Sequence, residues 1–286
     1  MIRKVAIVTD STSCIPFELS RELDIRVAPL TYVFGDTVVA DDPTLNMADF
    51  YRRLEAAEKP PTTSPASPGA YAEIFRELIG QVEAILCITV SARFSGMQRA
   101  ATVARDMVAS DASPTRVEVM DSGGAAMLQG FVALAAARAA ASGGGLDEVL
   151  HAAESVRSRA RLVAMIDTLK YLGRSGRFPR IAAWGASLIG VKPVLSLRMG
   201  QLKPVTVAIS RQGAVEKILR MLKRDAEGKE SVRVAVLHTN VPEEAEAFAR
   251  RVGETVDCTE VLMSHLTPVM GIYTGPGVLG IAYYAE

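Results

Sequence analysis

Residues 89–101 read TVSARFSGMQRAA, and the fold turns on how this stretch joins its neighbours. The run that leads into it, AILCIT (84–89), is apolar and β-branched and predicts a buried strand. From residue 97 the chain continues MQRAATVARDMV, which predicts a helix. The polar link holding Ser95 and Gly96 is therefore a strand-to-helix joint. The pattern recurs on both sides. KVAIVTD (4–10) ends at Asp10 and Ser11 ahead of PFELSREL (16–23), and RVEVMDS (116–122) ends at Asp121 and Ser122 ahead of MLQGFVALAAARAAA (127–141). Strands that alternate with helices imply a parallel sheet. Ligands of such sheets sit beyond the carboxyl ends of the strands. Asp10-Ser11, Ser91 to Gly96 and Asp121-Ser122 are thus expected along one edge of a crevice.

The second half differs in kind. VKPVLSLRMGQLKPVTVA (191–208) predicts two strands joined at Met199-Gly200. GAVEKILRMLKRD (213–225) predicts a helix, VRVAVLH (232–238) a strand and VPEEAEAFARRV (241–252) a helix. CTEVLMSHL (258–266) and GVLGIAYYA (277–285) predict closing strands. This is an α/β chain with a parallel-sheet domain over residues 1–166 and an α+β domain over 167–286. The boundary is expected in DTLKYLGRSGRFPR (167–180), where glycine and basic residues interrupt the periodicity. KPPTTSPASPG (59–69) is rich in proline and hydroxyl residues and is expected as an ordered loop.

Composition narrows the function. The 286 residues include 32 Lys or Arg and 32 Asp or Glu, a balance with no general attraction for nucleic acid or an anionic membrane. No apolar run reaches the roughly 20 residues of a membrane span. Cys14, Cys87 and Cys258 are scattered, as expected of a reduced, cytoplasmic protein. His151, His238 and His265 show no zinc-type spacing, so no metal is expected. Ser95 precedes glycine, but FSGMQ is not the G-x-S-x-G of a nucleophile elbow, and no motif supplies a base. GPGVLG (275–280) matches G-x-G-x-x-G without the helix that a dinucleotide loop must open. Cys87 reads as a core thiol. The alanine-rich 124–141 segment reads as a close-packed helix or as room for an apolar ligand. Lys170, Arg174, Arg177 and Arg180 read as a solvated basic face. What remains is a set of hydroxyls, Thr62, Thr63, Ser64 and Ser95, beside a helix start, and that chemistry suits an anion.

DSTS (10–13), TTSPASPG (62–69), SARFSGMQRAA (91–101), DTLKYLGRSGR (167–177) and GIYTGPGVLGIAY (271–283) stand in the order and spacing of the DegV family, which the whole chain resembles. The resemblance implies a parallel α/β domain and a smaller α/β domain with an antiparallel sheet that closes over a lipid site. It implies a long-chain fatty acid in a buried tunnel, presented by its carboxylate to a separate kinase subunit that makes acyl-phosphate. On that basis the chain is a non-catalytic carrier in phospholipid metabolism with no cofactor beyond the bound lipid. Its partners are the fatty acid, the kinase and, transiently, a membrane surface. Thr63, Ser95 and Gly96 match the family's carboxylate-contacting positions, with Thr62, Ser64, Tyr273 and Met97 around them. Three residues depart from the pattern. Met97 replaces a usual threonine, Tyr273 a frequent histidine, and Pro65-Ala66 the usual Gln-Pro. The alternative from the residues alone is a hydrolase or transferase using Ser95 on a small carboxylate or phosphate.

Overall fold

The structure, a computed structural model, describes residues 4–42, 45–109, 114–178, 181, 183, 184 and 190–286. In chain order the strands are β1 (Val5–Asp10), β2 (Ile25–Ala28), β3 (Thr31–Phe34), β4 (Thr37–Ala40), β5 (Thr62–Ser64), β6 (Ala84–Thr89), β7 (Arg116–Asp121), β8 (Arg161–Met165), β9 (Lys192–Arg198), β10 (Gln201–Ala208), β11 (Val232–His238), β12 (Glu260–His265) and β13 (Leu279–Ala285). The helices used below are α1 (Phe17–Glu22), α2 (Met47–Ala56), α3 (Pro68–Leu78), α4 (Met97–Val108), α5 (Met127–Ala141), α6 (Leu146–Arg159), α7 (Lys170–Arg174), α8 (Arg211–Ala226), α9 (Pro242–Thr255) and α10 (Pro268–Thr274).

The chain falls into two compact units, Met1–Asp42 with Thr63–Ser158, and Pro43–Thr62 with Arg159–Glu286. This differs from the expected division at 166/167. The physical reason is pairing: β8 lies antiparallel between β9 and β13 and so belongs to the second sheet. Residues 43–62 join that unit through α2, whose Tyr51 packs against Gly271 of α10.

In the first unit a parallel sheet runs β2-β1-β6-β7. Its central strands, VAIVTD and AILCIT, are buried at every position, which is why they read as unbroken apolar runs. Helices α3 and α4 pack together, and α5 packs on β1. At Gly130, α5 lies close against the chain before α1: a Cβ there would come within 2.9 Å of the Ser13 carbonyl. A small sheet, β4-β3-β5, accompanies this one. The proline-rich 59–69 segment is thus not all loop. Its middle pairs as β5, and Ser67 accepts from the Ala70 amide to cap α3, with Pro68 at the first turn.

The second unit has the sheet β10-β9-β8-β13-β11-β12, antiparallel except for β11 and β12. Helices α8 and α9 cover it through Ile218, Leu222, Phe248 and Val252. Edge strand β10 carries Lys203 and a register shift just after Pro204, features that discourage pairing with a second chain. The apparent dinucleotide motif is structural. Gly275 (φ 73°) and Gly277 (φ 81°) adopt left-handed backbone. Gly280 sits in β13 opposite Ala164, where a Cβ would lie 2.6 Å from the Ala164 Cα. Among the described residues, no helix is long and apolar enough to cross a membrane.

Candidate functional site

The carboxyl ends of β1, β6 and β7 are tied to one another. Asp10 is fully buried at the end of β1. One carboxyl oxygen accepts from the Val90 amide at 2.8 Å. The other accepts from the Thr12 amide at 3.1 Å and closely from the Thr12 hydroxyl. Burial raises the Asp10 pKa above the ordinary carboxylate range, and these hydrogen bonds oppose the shift. Gln129, buried on α5, contacts the Thr12 hydroxyl through Oε1 and donates to Thr9 through Nε2, both at 3.1 Å. Asp121 accepts from the Ala92 and Gly123 amides, and Ser91 donates its amide to the Gly124 carbonyl at 2.8 Å. The three polar strand ends therefore form one hydrogen-bonded edge.

The joint at Ser95-Gly96 grows from that edge. Ser91, buried, accepts the amides of Phe94 and Ser95 through its carbonyl, which turns the chain into α4. Ser95 is half-buried and Gly96, exposed, precedes the first residue of α4. Gly96 has φ −79°, and a Cβ there would meet nothing within 4 Å. Its backbone needs no glycine, and the space over it is open to an approaching group. Met97 is fully buried, and its sulfur accepts from the Ala66 amide. It lies beneath the joint instead of lining open space, a placement that its apolar side chain favours. Thr63 is half-buried and Ser64 exposed on β5, while Thr62, also exposed, falls to the second unit. The structure thus joins the Thr63-Ser64 segment to the Ser95-Met97 turn through Ala66 and Met97, all in the first unit.

Tyr273 lies on α10 in the second unit, half-buried, with the Arg177 guanidinium 4.5 Å over its ring. Arg177 is therefore not merely a solvated charge; Arg180 lies outside the described residues. Each glycine of the GIYTGPG loop seats a side chain: Gly271 takes Tyr51, Gly275 takes the Tyr171 ring and Gly277 takes Asp167. Asp167 in turn accepts from Lys192 at 2.9 Å and Arg211 at 2.7 Å, and Arg211 also donates to the Gly277 carbonyl. Sequence reasoning missed this support. The lone acid of DTLK and the three glycines were its only signals.

The chain matches the DegV family, described as an uncharacterised protein family, over residues 4–286. The chain belongs to the DegV family. It is 35% identical over 283 residues to a DegV domain-containing protein of Streptomyces coelicolor, with 98% of each chain covered. It is 31% identical over 281 residues to Protein DegV of Bacillus subtilis, again with 98% of each covered. Among solved structures it resembles a DegV family protein from Thermus thermophilus described by its fatty acid binding (TM-score 0.92, 28% identity, 99% of this chain and 100% of that one). It also resembles DegV from Bacillus subtilis, described as a fatty acid binding protein (TM-score 0.88, 29% identity, the same coverage). The mixed α/β architecture, parallel and antiparallel sheets together, is that of the DegV structures.

This DegV-family chain also carries a histidine pair. His238 and His265 end the adjacent parallel strands β11 and β12, with rings 4.1 Å apart and edge-on. Val241 donates its amide to His238 Nδ1 at 3.4 Å, and Nε2 has no partner among the described residues. Burial, then His265, lowers His238 to about 4, and burial lowers His265. Among the described residues, no group of three or more metal-ligating side chains accompanies the pair. An unfolded histidine takes its proton near about 6.5, so acid protonates the unfolded chain first. The His238 contribution is complete above that pH and is lost as pH falls toward about 4, and the lowered His265 acts in the same direction. The slope approaches about 1.4 kcal/mol per pH unit for the His238 imidazole. Denaturation midpoints from pH 7 to 4, compared with those of His238→Gln, check this. Parallel profiles would show that His238 does not titrate on unfolding.

Proposed function

We propose that this chain is a cytoplasmic carrier that binds a long-chain fatty acid and presents its carboxylate to a separate kinase subunit for acyl-phosphate formation. It would touch a membrane surface only transiently. The observation that carries this is the full-length likeness to the fatty-acid-binding Thermus thermophilus protein. The site chemistry agrees with it. Ser95 stands where the chain turns into α4, a helix of 12 residues whose free amides favour an anion. Thr63 and Ser95 each offer a hydroxyl donor. A hydrogen bond to a charged group contributes about 1.5–3 kcal/mol, and each buried methylene about 0.8 kcal/mol. Over a long acyl tail the apolar contribution dominates, so the hydroxyls orient the head while the tail supplies affinity. Mass spectrometry of organic extracts of the purified protein is expected to find long-chain fatty acid. Protein that is lipid-free and takes up no added fatty acid would overturn the proposal.

A further inference from the structure

A sulfur links the segment bearing Thr63 to the turn bearing Ser95. The Ala66 amide donates to Met97 Sδ at 3.1 Å, with both residues buried. Thioether sulfur is a weak acceptor. Its value here comes from burial, because an amide withdrawn from water without an acceptor is costly. The segment offers few alternatives. Pro65 and Pro68 have no N–H, and the Ser67 side chain is spent capping α3. On one side β5 holds the segment in its small sheet, and on the other α3 holds it by its cap. Ala66 is pinned between them to the first residue of the helix that Ser95 introduces. Both partners stand at positions where the chain departs from the pattern given above. Alanine at 66 supplies the N–H that a proline lacks, and methionine at 97 reaches it with an acceptor.

We propose that Met97 is a positioning residue of the carboxylate site. Its sulfur holds the Thr63 segment against the start of α4, so that the Thr63 and Ser95 hydroxyls keep a fixed relation. The role rests on the fatty-acid reading above, and the test separates the two. The probe is palmitate labelled with ¹³C at the carboxyl carbon, on the full-length protein carrying Met97→Leu, Ala66→Pro or both. Leucine preserves most of the volume and removes the acceptor. In lipid-free Met97→Leu, exchange of the Ala66 amide is expected to accelerate about fivefold to tenfold, the worth of one hydrogen bond. The bound carboxyl resonance is expected to shift, and its titration midpoint to rise, because the donors that favour the anion are no longer held in place. Adding Met97→Leu to Ala66→Pro should change the resonance no further, since the donor is already gone. An unchanged carboxyl resonance in Met97→Leu, or additive shifts in the double variant, would overturn the positioning role. Should the unaltered protein bind no palmitate, the functional reading falls and the role with it, while Ala66 exchange still reports whether the sulfur bond exists.

Discussion

Thr63→Val combined with Ser95→Ala is expected to leave the fatty acid bound and to lower kinase-dependent acyl-phosphate formation by about 10²-fold, the penalty of a reacting group displaced by roughly an ångström. The two effects separate because they draw on different parts of the ligand. Loss of two hydroxyl donors removes a few kcal/mol at most, whereas tail burial scales with each methylene at about 0.8 kcal/mol and is untouched. Valine keeps the β-branched shape that suits β5, and alanine at 95 leaves intact the Ser91 carbonyl that turns the chain into α4. The single variants should be non-additive, because both donors would serve one acceptor. Lipid occupancy and turnover measured together decide the matter. Full turnover in the double variant would show that these hydroxyls do not orient the carboxylate, and would move attention to the loop around Tyr273.

The second large effect concerns stability. Asp10→Ala is expected to destabilise the protein by about 3 kcal/mol or more, because it strands the Val90 and Thr12 amides in a buried setting and leaves the Thr12 hydroxyl only its contact with Gln129. Asp10→Asn should cost less, since it keeps one acceptor oxygen. The ionised carboxylate is already disfavoured by burial, so loss of the charge itself should matter less than loss of the acceptors. Chemical denaturation of both variants at pH 7 tests this. Alanine within about 1 kcal/mol of the original would mean that the strand ends are held by something other than this carboxyl.

Much of the first sheet was legible because β1 and β6 are buried on both faces and announce themselves as apolar runs, and α4 because it is amphipathic. The hairpin β3–β4, which is mostly exposed or half-buried, has no such contrast and went unseen. Strand β5 hid behind prolines at 60, 61 and 65, and a three-residue strand has no periodicity to detect. The boundary was misplaced because RLVAM (161–165) is a strand whose partners lie far along the chain, and pairing is a tertiary fact. The hydroxyls at 63 and 95 stand out in the sequence as candidates. Their link does not, because nothing in the residue types says that the sulfur at 97 faces the amide at 66. Gln129, the lone amide in an alanine-rich helix, was visible and was passed over, though it reaches Thr9 and Thr12.

The assignment of residues 43–62 to the second unit has a consequence for synthesis on the ribosome. Helix α2 emerges well before Gly271, against which its Tyr51 packs. Until Gly271 follows, an amphipathic helix with Phe50, Tyr51 and Leu54 buried in the finished fold lacks that partner. The nascent chain must keep that helix from aggregating while the sequence up to Gly271 is added. Neither unit can be produced as one uninterrupted fragment, so a cut after residue 158 would yield a first unit encumbered by a helix that belongs elsewhere.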